Sequence, residues 1–115
     1  MQYLLMIYAS EAEEAKMTPA DTGKLMQAYG AYSEALVKAG VMRAGERLRP
    51  VTDATSVRVR NGKTEVLNGP YAETREQLGG YYLIDVPDLD AALAWAARCP
   101  SSSYGTIEVR PVWEM

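Results

Sequence analysis

The stretch Asn68-Gly69-Pro70-Tyr71-Ala72-Glu73-Thr74-Arg75-Glu76-Gln77-Leu78-Gly79-Gly80 holds more polar chemistry than a connection between two elements requires. Gly69 frees the backbone, Pro70 fixes its own φ and removes a donor, and Gly79-Gly80 lets the chain enter a strand without side chains in the way. Between these brackets stand Glu73, Arg75 and Glu76. If residues 72–77 take one helical turn, Glu73 and Glu76 lie three apart on one face, within reach of a shared cation or guanidinium. That arrangement is a site wall. On a capped surface turn the same charges are simply solvated, and spacing alone leaves both readings open.

Other positions extend the candidate site. Glu46 alternates with Met42 and Ala44, so it shares a strand face with apolar residues, where a carboxylate needs a partner or a function. Arg75 is the candidate partner. Tyr8 closes the first apolar run, and Asp85 lies near the end of a strand expected to run parallel to it, which sets a phenol beside a carboxylate. Such a pair orients a ligand or satisfies itself. The candidate ligand-binding set is Tyr8, Glu46, Tyr71, Glu73, Arg75 and Glu76. Cys99, the only cysteine, ends a helical pattern, where the dipole opposes a thiolate, and reads as a packed thiol. It also rules out an internal disulfide and suits a reducing compartment.

The chain has no histidine, which excludes imidazole acid–base catalysis, histidine-bearing zinc sites and every Ser-His or Cys-His pairing. There is no phosphate loop, dinucleotide fingerprint or metal-ligand cluster, so neither cofactor nor metal is expected. An enzyme of this composition would work with carboxylates, and Glu46 and Glu73 are the available acid and base. With eight Tyr and no Phe, tyrosine is the main aromatic filler, and Tyr29, Tyr32, Tyr81 and Tyr82 read as core and interface rather than a ligand cage.

The elements that must position these residues are legible from periodicity. Residues 2–8 are almost continuously apolar, the pattern of a central strand covered on both faces. Thr18-Pro19-Ala20-Asp21 reads as N-cap, N1 proline and N3 carboxylate of a helix with the stripe Leu25, Tyr29, Tyr32 and Leu36, stopped by Gly40. A strand follows at 41–48. Val57-Arg58-Val59-Arg60, Asn61-Gly62 and Lys63-Thr64-Glu65-Val66 form a type I′ hairpin in which Arg58 faces Glu65 and Val57 faces Val66. Tyr81 to Val86 is a strand, Pro87-Asp88 opens a helix ending before Pro100, Ser101-Ser102-Ser103 is a polar link, and Thr106 to Trp113 is the last strand.

The order β-α-β-(hairpin)-β-α-β predicts an α+β, ferredoxin-like βαββαβ fold with an inserted β-hairpin, in a single domain over residues 1–115. Both helices then cover one sheet face. The other must meet water, the hairpin or a second subunit, and a homodimer satisfies it best. A hydrophobic content of 48% is that of a folded globular chain, large enough to bury roughly two thirds of its unfolded surface. The net charge of −3, with basic residues scattered, supplies no drive toward nucleic acid or anionic lipid. The first apolar run is too short for a signal peptide or membrane span, and a cytoplasmic location is expected.

Residues 68–76 closely resemble the nonapeptide that names the DGPFAETKE family, a branch of the YCII-related domain proteins. Gly69, Pro70, Ala72, Glu73, Thr74 and Glu76 match, while Asn68, Tyr71 and Arg75 replace Asp, Phe and Lys. The similarity runs on through Ala44-Gly45-Glu46, Trp95 to Pro100 and Glu108-Val109-Arg110-Pro111. The resemblance implies a dimeric α+β barrel and an association with sigma-factor domains, to which family members occur fused. Relatives carry a histidine and an aspartate thought to act together, and one branch is linked to dehydrochlorination of a chlorinated hydroquinone. The histidine has no counterpart here, and Cys99 stands where the aspartate is expected. These readings lead to a homodimer holding a small polar or aromatic molecule in a cleft beside the signature loop. A regulatory module docking through that loop, and a carboxylate-dependent enzyme, are the alternatives.

Overall fold

The computed structural model describes residues 1–114. Strands β1 (Gln2–Ala9), β2 (Met42–Arg47), β5 (Gln77–Asp85) and β6 (Thr106–Pro111) form one antiparallel sheet in the order β2-β5-β1-β6. Helices α2 (Pro19–Lys38) and α3 (Leu89–Arg98) lie on one face, with α2 against β2 and α3 against β6. Strands β3 (Thr55–Arg60) and β4 (Lys63–Asn68) form a separate two-stranded sheet. With the hairpin set aside, this is the ferredoxin-like α+β arrangement.

Local signals act as read. The Thr18 hydroxyl accepts from the Asp21 N–H at 3.1 Å, Pro19 occupies the first turn, and Gly40 follows the last turn of α2 with φ +74°. Asp88 caps α3 by accepting from the Ala91 N–H at 2.9 Å. Asn61 and Gly62 both have positive φ, which a type I′ turn requires, and the hairpin pairs Arg58 with Glu65 and Val57 with Val66.

Four details differ from the sequence reading. Residues 72–76 form bends and irregular chain rather than a helical turn, and β5 starts at Gln77, four residues before the expected Tyr81. Gly80 pairs with Ile7 and Arg47, and Gly79 is passed over at a bulge opposite the Ile7–Tyr8 step while its carbonyl accepts from the Leu48 N–H at 2.8 Å, so the two glycines do not end the ladder. β1 and β5 are antiparallel, with Gln2 opposite Asp85 and Tyr8 opposite Leu78, so Tyr8 and Asp85 sit at opposite ends of β1. The Asp85 carboxylate is held below the usual range by a hydrogen bond from the N-terminal ammonium at 2.9 Å, with Arg43 adding to it. A bulge between Met42 and Ala44 shifts the phase of β2. Met42, Gly45 and Arg47 therefore share the helix-covered face, and Ala44 and Glu46 the other. Finally, a short helix α1 (Glu11–Glu14) follows β1, capped by Ser10, which accepts from the Glu13 N–H at 3.2 Å.

The core lies between the sheet and the two helices: Tyr3, Leu5 and Ile7 of β1 and Tyr82 and Ile84 of β5 meet Tyr32, Leu36, Ala92 and Ala96. Alanines on α3 allow it to approach the strands closely. Burying Leu5 and Leu36 contributes about 1.5–3 kcal/mol each. The opposite face carries Leu4, Met6, Tyr8, Tyr81 and Leu83, half-buried among neighbours on the sheet, and no helix among the described residues packs on it. The radius of gyration, 16.1 Å against about 13 Å for a compact domain of this length, reflects the hairpin standing out as an arm.

Candidate functional site

A space between α2 and the sheet is lined by Leu25, Met26, Tyr29 and Ser33 on the helix side and by small residues among the strand positions. Ala9, Gly80 and Gly45 lie on the helix-covered face of β1, β5 and β2, and at Gly45 an added Cβ would come within 2.8 Å of the Tyr82 ring. The space left is a cleft of about 380 Å³, within the range that accommodates small-molecule ligands. Leu25, Met26 and Tyr29 of α2 face Ile7, Met42 and Tyr82 across it, so the walls are largely apolar. Arg47 supplies a cation at the edge strand, 3.7 Å from the Met26 sulfur and without an ion pair to any described residue. A wider trough of about 690 Å³ on the far side of α2, between Asp21, Lys24, Arg98 and Tyr104, is open surface.

Polar groups converge at one end of the cleft. The Tyr29 hydroxyl is 2.5 Å from Ser101 Oγ and 3.6 Å from the Cys99 thiol. Ser101 Oγ is 3.2 Å from the Tyr104 hydroxyl, which donates to Glu14 Oε2 at 3.0 Å. Ser101 is 2% exposed, so this chain runs from the interior to a surface carboxylate. A second pair, Ser33 Oγ and the Tyr82 hydroxyl at 2.6 Å, joins α2 to β5 in the same cleft. Burial pushes Tyr29, Tyr82 and Tyr104 above the ordinary phenol value and Cys99 above the ordinary thiol value. At neutral pH these groups are neutral hydrogen-bonding partners. Cys99 is thus the packed thiol that its place at the end of α3 suggested.

The signature stretch closes one end of the cleft through Gln77. Its Oε1 accepts from the Glu11 N–H at 2.9 Å and its Nε2 donates to the Thr74 carbonyl at 2.6 Å. The Glu11 carboxylate in turn accepts from the Val51 N–H at 3.1 Å. The charged residues of the loop turn the other way. Tyr71 is 84% exposed, and Glu73 and Arg75 are exposed, with no ion pair to any described residue. The expected bridge from Arg75 to Glu46 is therefore not formed within the described chain. Glu76 is half-buried and accepts from the Thr106 hydroxyl at 2.9 Å. Glu46 belongs to the cleft wall, yet its position opposite Tyr81 sets its side chain on the outer sheet face. Tyr8 also lies on that outer face, opposite Leu78 and Thr106.

The residues that sequence reasoning missed are Glu14, Tyr29, Ser33, Ser101 and Tyr104. A signal existed for α1, since Ser10-Glu11-Ala12-Glu13 has the Ser-x-x-Glu spacing of a capping box. Nothing local marks Ser101, because its burial arises where the turn at 100–103 meets α2. Among the described residues no group of three or more His, Cys, Asp or Glu is placed to hold a metal ion, and no helix is long and apolar enough to cross a membrane.

Comparison with known proteins identifies a family. An uncharacterized protein of Rhizobium meliloti (strain 1021) is 37% identical over 114 residues, spanning 97% of this chain and 92% of the relative. The family model of the YCII-related domain matches residues 1–115, and the chain belongs to that family.

Proposed function

We propose that this protein binds a small molecule with an aromatic or apolar body and at least one polar group, in the cleft between α2 and the sheet. The carrying observation is the pairing of apolar walls with a buried hydroxyl cluster in a space of about 380 Å³. The signature stretch serves the site through Gln77, Gly79 and Gly80, while Glu46 and Arg47 stand on the edge strand. Tyr71, Glu73, Arg75 and Glu76 would act at the rim. On that signature we place the chain in the DGPFAETKE branch of the family.

The protein works as a homodimer in this reading. The outer sheet face, with Leu4, Met6, Tyr8, Tyr81 and Leu83, is the surface a second copy would cover, giving the α+β barrel. Light scattering on a sizing column should return twice the 12.7 kDa chain mass at micromolar concentration. A stable monomer would remove the barrel.

Met26→Trp tests the cleft. Met26 lines it from a partly exposed helical position, so the indole narrows the space with little effect on folding. In a thermal-shift screen against small aromatic alcohols, acids and amines, ligands that stabilise the parent should lose their effect on the variant. Shifts of equal size in both proteins would place binding elsewhere.

A regulatory docking role is the second reading, favoured by the outward-facing loop and by Val57 and Val66, 67% and 65% exposed on one face of the hairpin. Here the loop and arm would meet a partner such as a sigma factor, and Met26→Trp would change nothing.

A further inference from the structure

The direction of every proton in the hydroxyl chain can be worked out from its outer end. A hydroxyl has one proton to donate and two lone pairs to accept. Tyr104 donates to the Glu14 carboxylate at 3.0 Å, a charge-assisted bond roughly twice as strong as a neutral one. Its only proton is then committed, so at 3.2 Å it must accept from Ser101. Ser101 in turn has spent its proton and accepts from Tyr29 at 2.5 Å. With the Tyr29 proton also spent, the Cys99 S–H at 3.6 Å is the donor in that contact. Tyr29 and Ser101 line the cleft, but neither has a proton left for a ligand.

We infer that Glu14 polarises the chain through Tyr104, Ser101 and Tyr29 outward, so that this end of the cleft is purely an acceptor and selects ligands that present an O–H or N–H to it. This rests on the cleft being the binding site. Ethers, ketones and carboxylates meet lone pairs there and are disfavoured. The Ser33–Tyr82 pair uses only one of its two protons internally, so it can still donate. The cleft thus has an acceptor-only end and an end that can donate, which orients a ligand carrying a single hydroxyl.

The test uses 2-naphthol and 2-methoxynaphthalene, which differ at the donor proton and one methyl group, titrated calorimetrically into the parent, Tyr104→Phe and Glu14→Ala. Both substitutions are at or near the surface and free the protons of the chain to turn inward. In the parent, naphthol should bind roughly tenfold tighter, the worth of about one hydrogen bond. In both variants the ratio should fall to about threefold or less, chiefly because the ether gains. Equal binding of the two probes by the parent would overturn the inference while leaving the cleft intact. A tenfold ratio surviving in either folded variant would overturn it as well. If the parent binds neither probe, the cleft reading itself fails, and this one with it.

Discussion

The hydroxyl of Tyr29 lies 2.5 Å from that of Ser101, joining the middle of α2 to the turn after α3 across 72 residues of sequence. Ser101→Ala removes the partner of a half-buried phenol and should cost about 1–3 kcal/mol. Tyr29→Phe with Ser101→Ala should cost less than the sum of the single changes. Urea unfolding of the four proteins checks this; strict additivity would mean that the two hydroxyls are not coupled.

Gly45 lines the cleft beside Tyr82. A methyl group there would meet the Tyr82 ring at 2.8 Å and the Met42 methyl at 3.0 Å, so Gly45→Ala should destabilise by about 1–3 kcal/mol through overpacking. An unchanged denaturation midpoint would show that Tyr82 moves aside freely.

Alkaline pH should weaken the fold. Burial raises Cys99, Tyr29, Tyr82 and Tyr104 above their unfolded values, so the folded protein holds these protons more tightly than the unfolded chain. Their contribution is therefore fully present below the unfolded values. It is lost as pH rises past about 8.5 for the thiol and about 10 for the phenols. Thermal melts from pH 7 to 11 should show a progressive fall that is shallower in Tyr29→Phe, and a flat profile would contradict the burial of these groups.

Cys99→Ser exchanges a buried thiol for a smaller, more polar hydroxyl and should cost on the order of 1 kcal/mol while leaving ligand binding intact. In the parent, Cys99 should react with a thiol reagent far more slowly than free cysteine until the protein is unfolded. Lost binding in a stable Cys99→Ser protein would make the thiol part of the site.

Arg75→Ala should change stability by no more than about 0.5 kcal/mol, because the guanidinium is exposed and unpaired among the described residues. A loss above about 1 kcal/mol would indicate a partner supplied by a second subunit.

Capping and turn chemistry made the elements legible, since Thr18, Pro19, Asp88 and Asn61-Gly62 act through bonds a few residues long. The bulge in β2 was not legible, and one extra residue there moved Glu46 to the outer face and Arg47 to the cleft side. Charge density drew attention to Glu73 and Arg75, which face solvent, whereas the convergent groups are hydroxyls on Tyr29, Ser101 and Tyr104. Their meeting depends on the packing of α2, the turn at 100–103 and α1, contacts that no local pattern encodes.

The most direct test of a binding cleft under α2 is a crystal structure of the protein soaked with 2-naphthol. The ring should lie between Leu25, Met26 and the Met42–Tyr82 wall, with its oxygen in hydrogen-bond reach of the Tyr29 hydroxyl. Naphthol bound only on the outer sheet face or along the hairpin, with the cleft empty, would contradict the account.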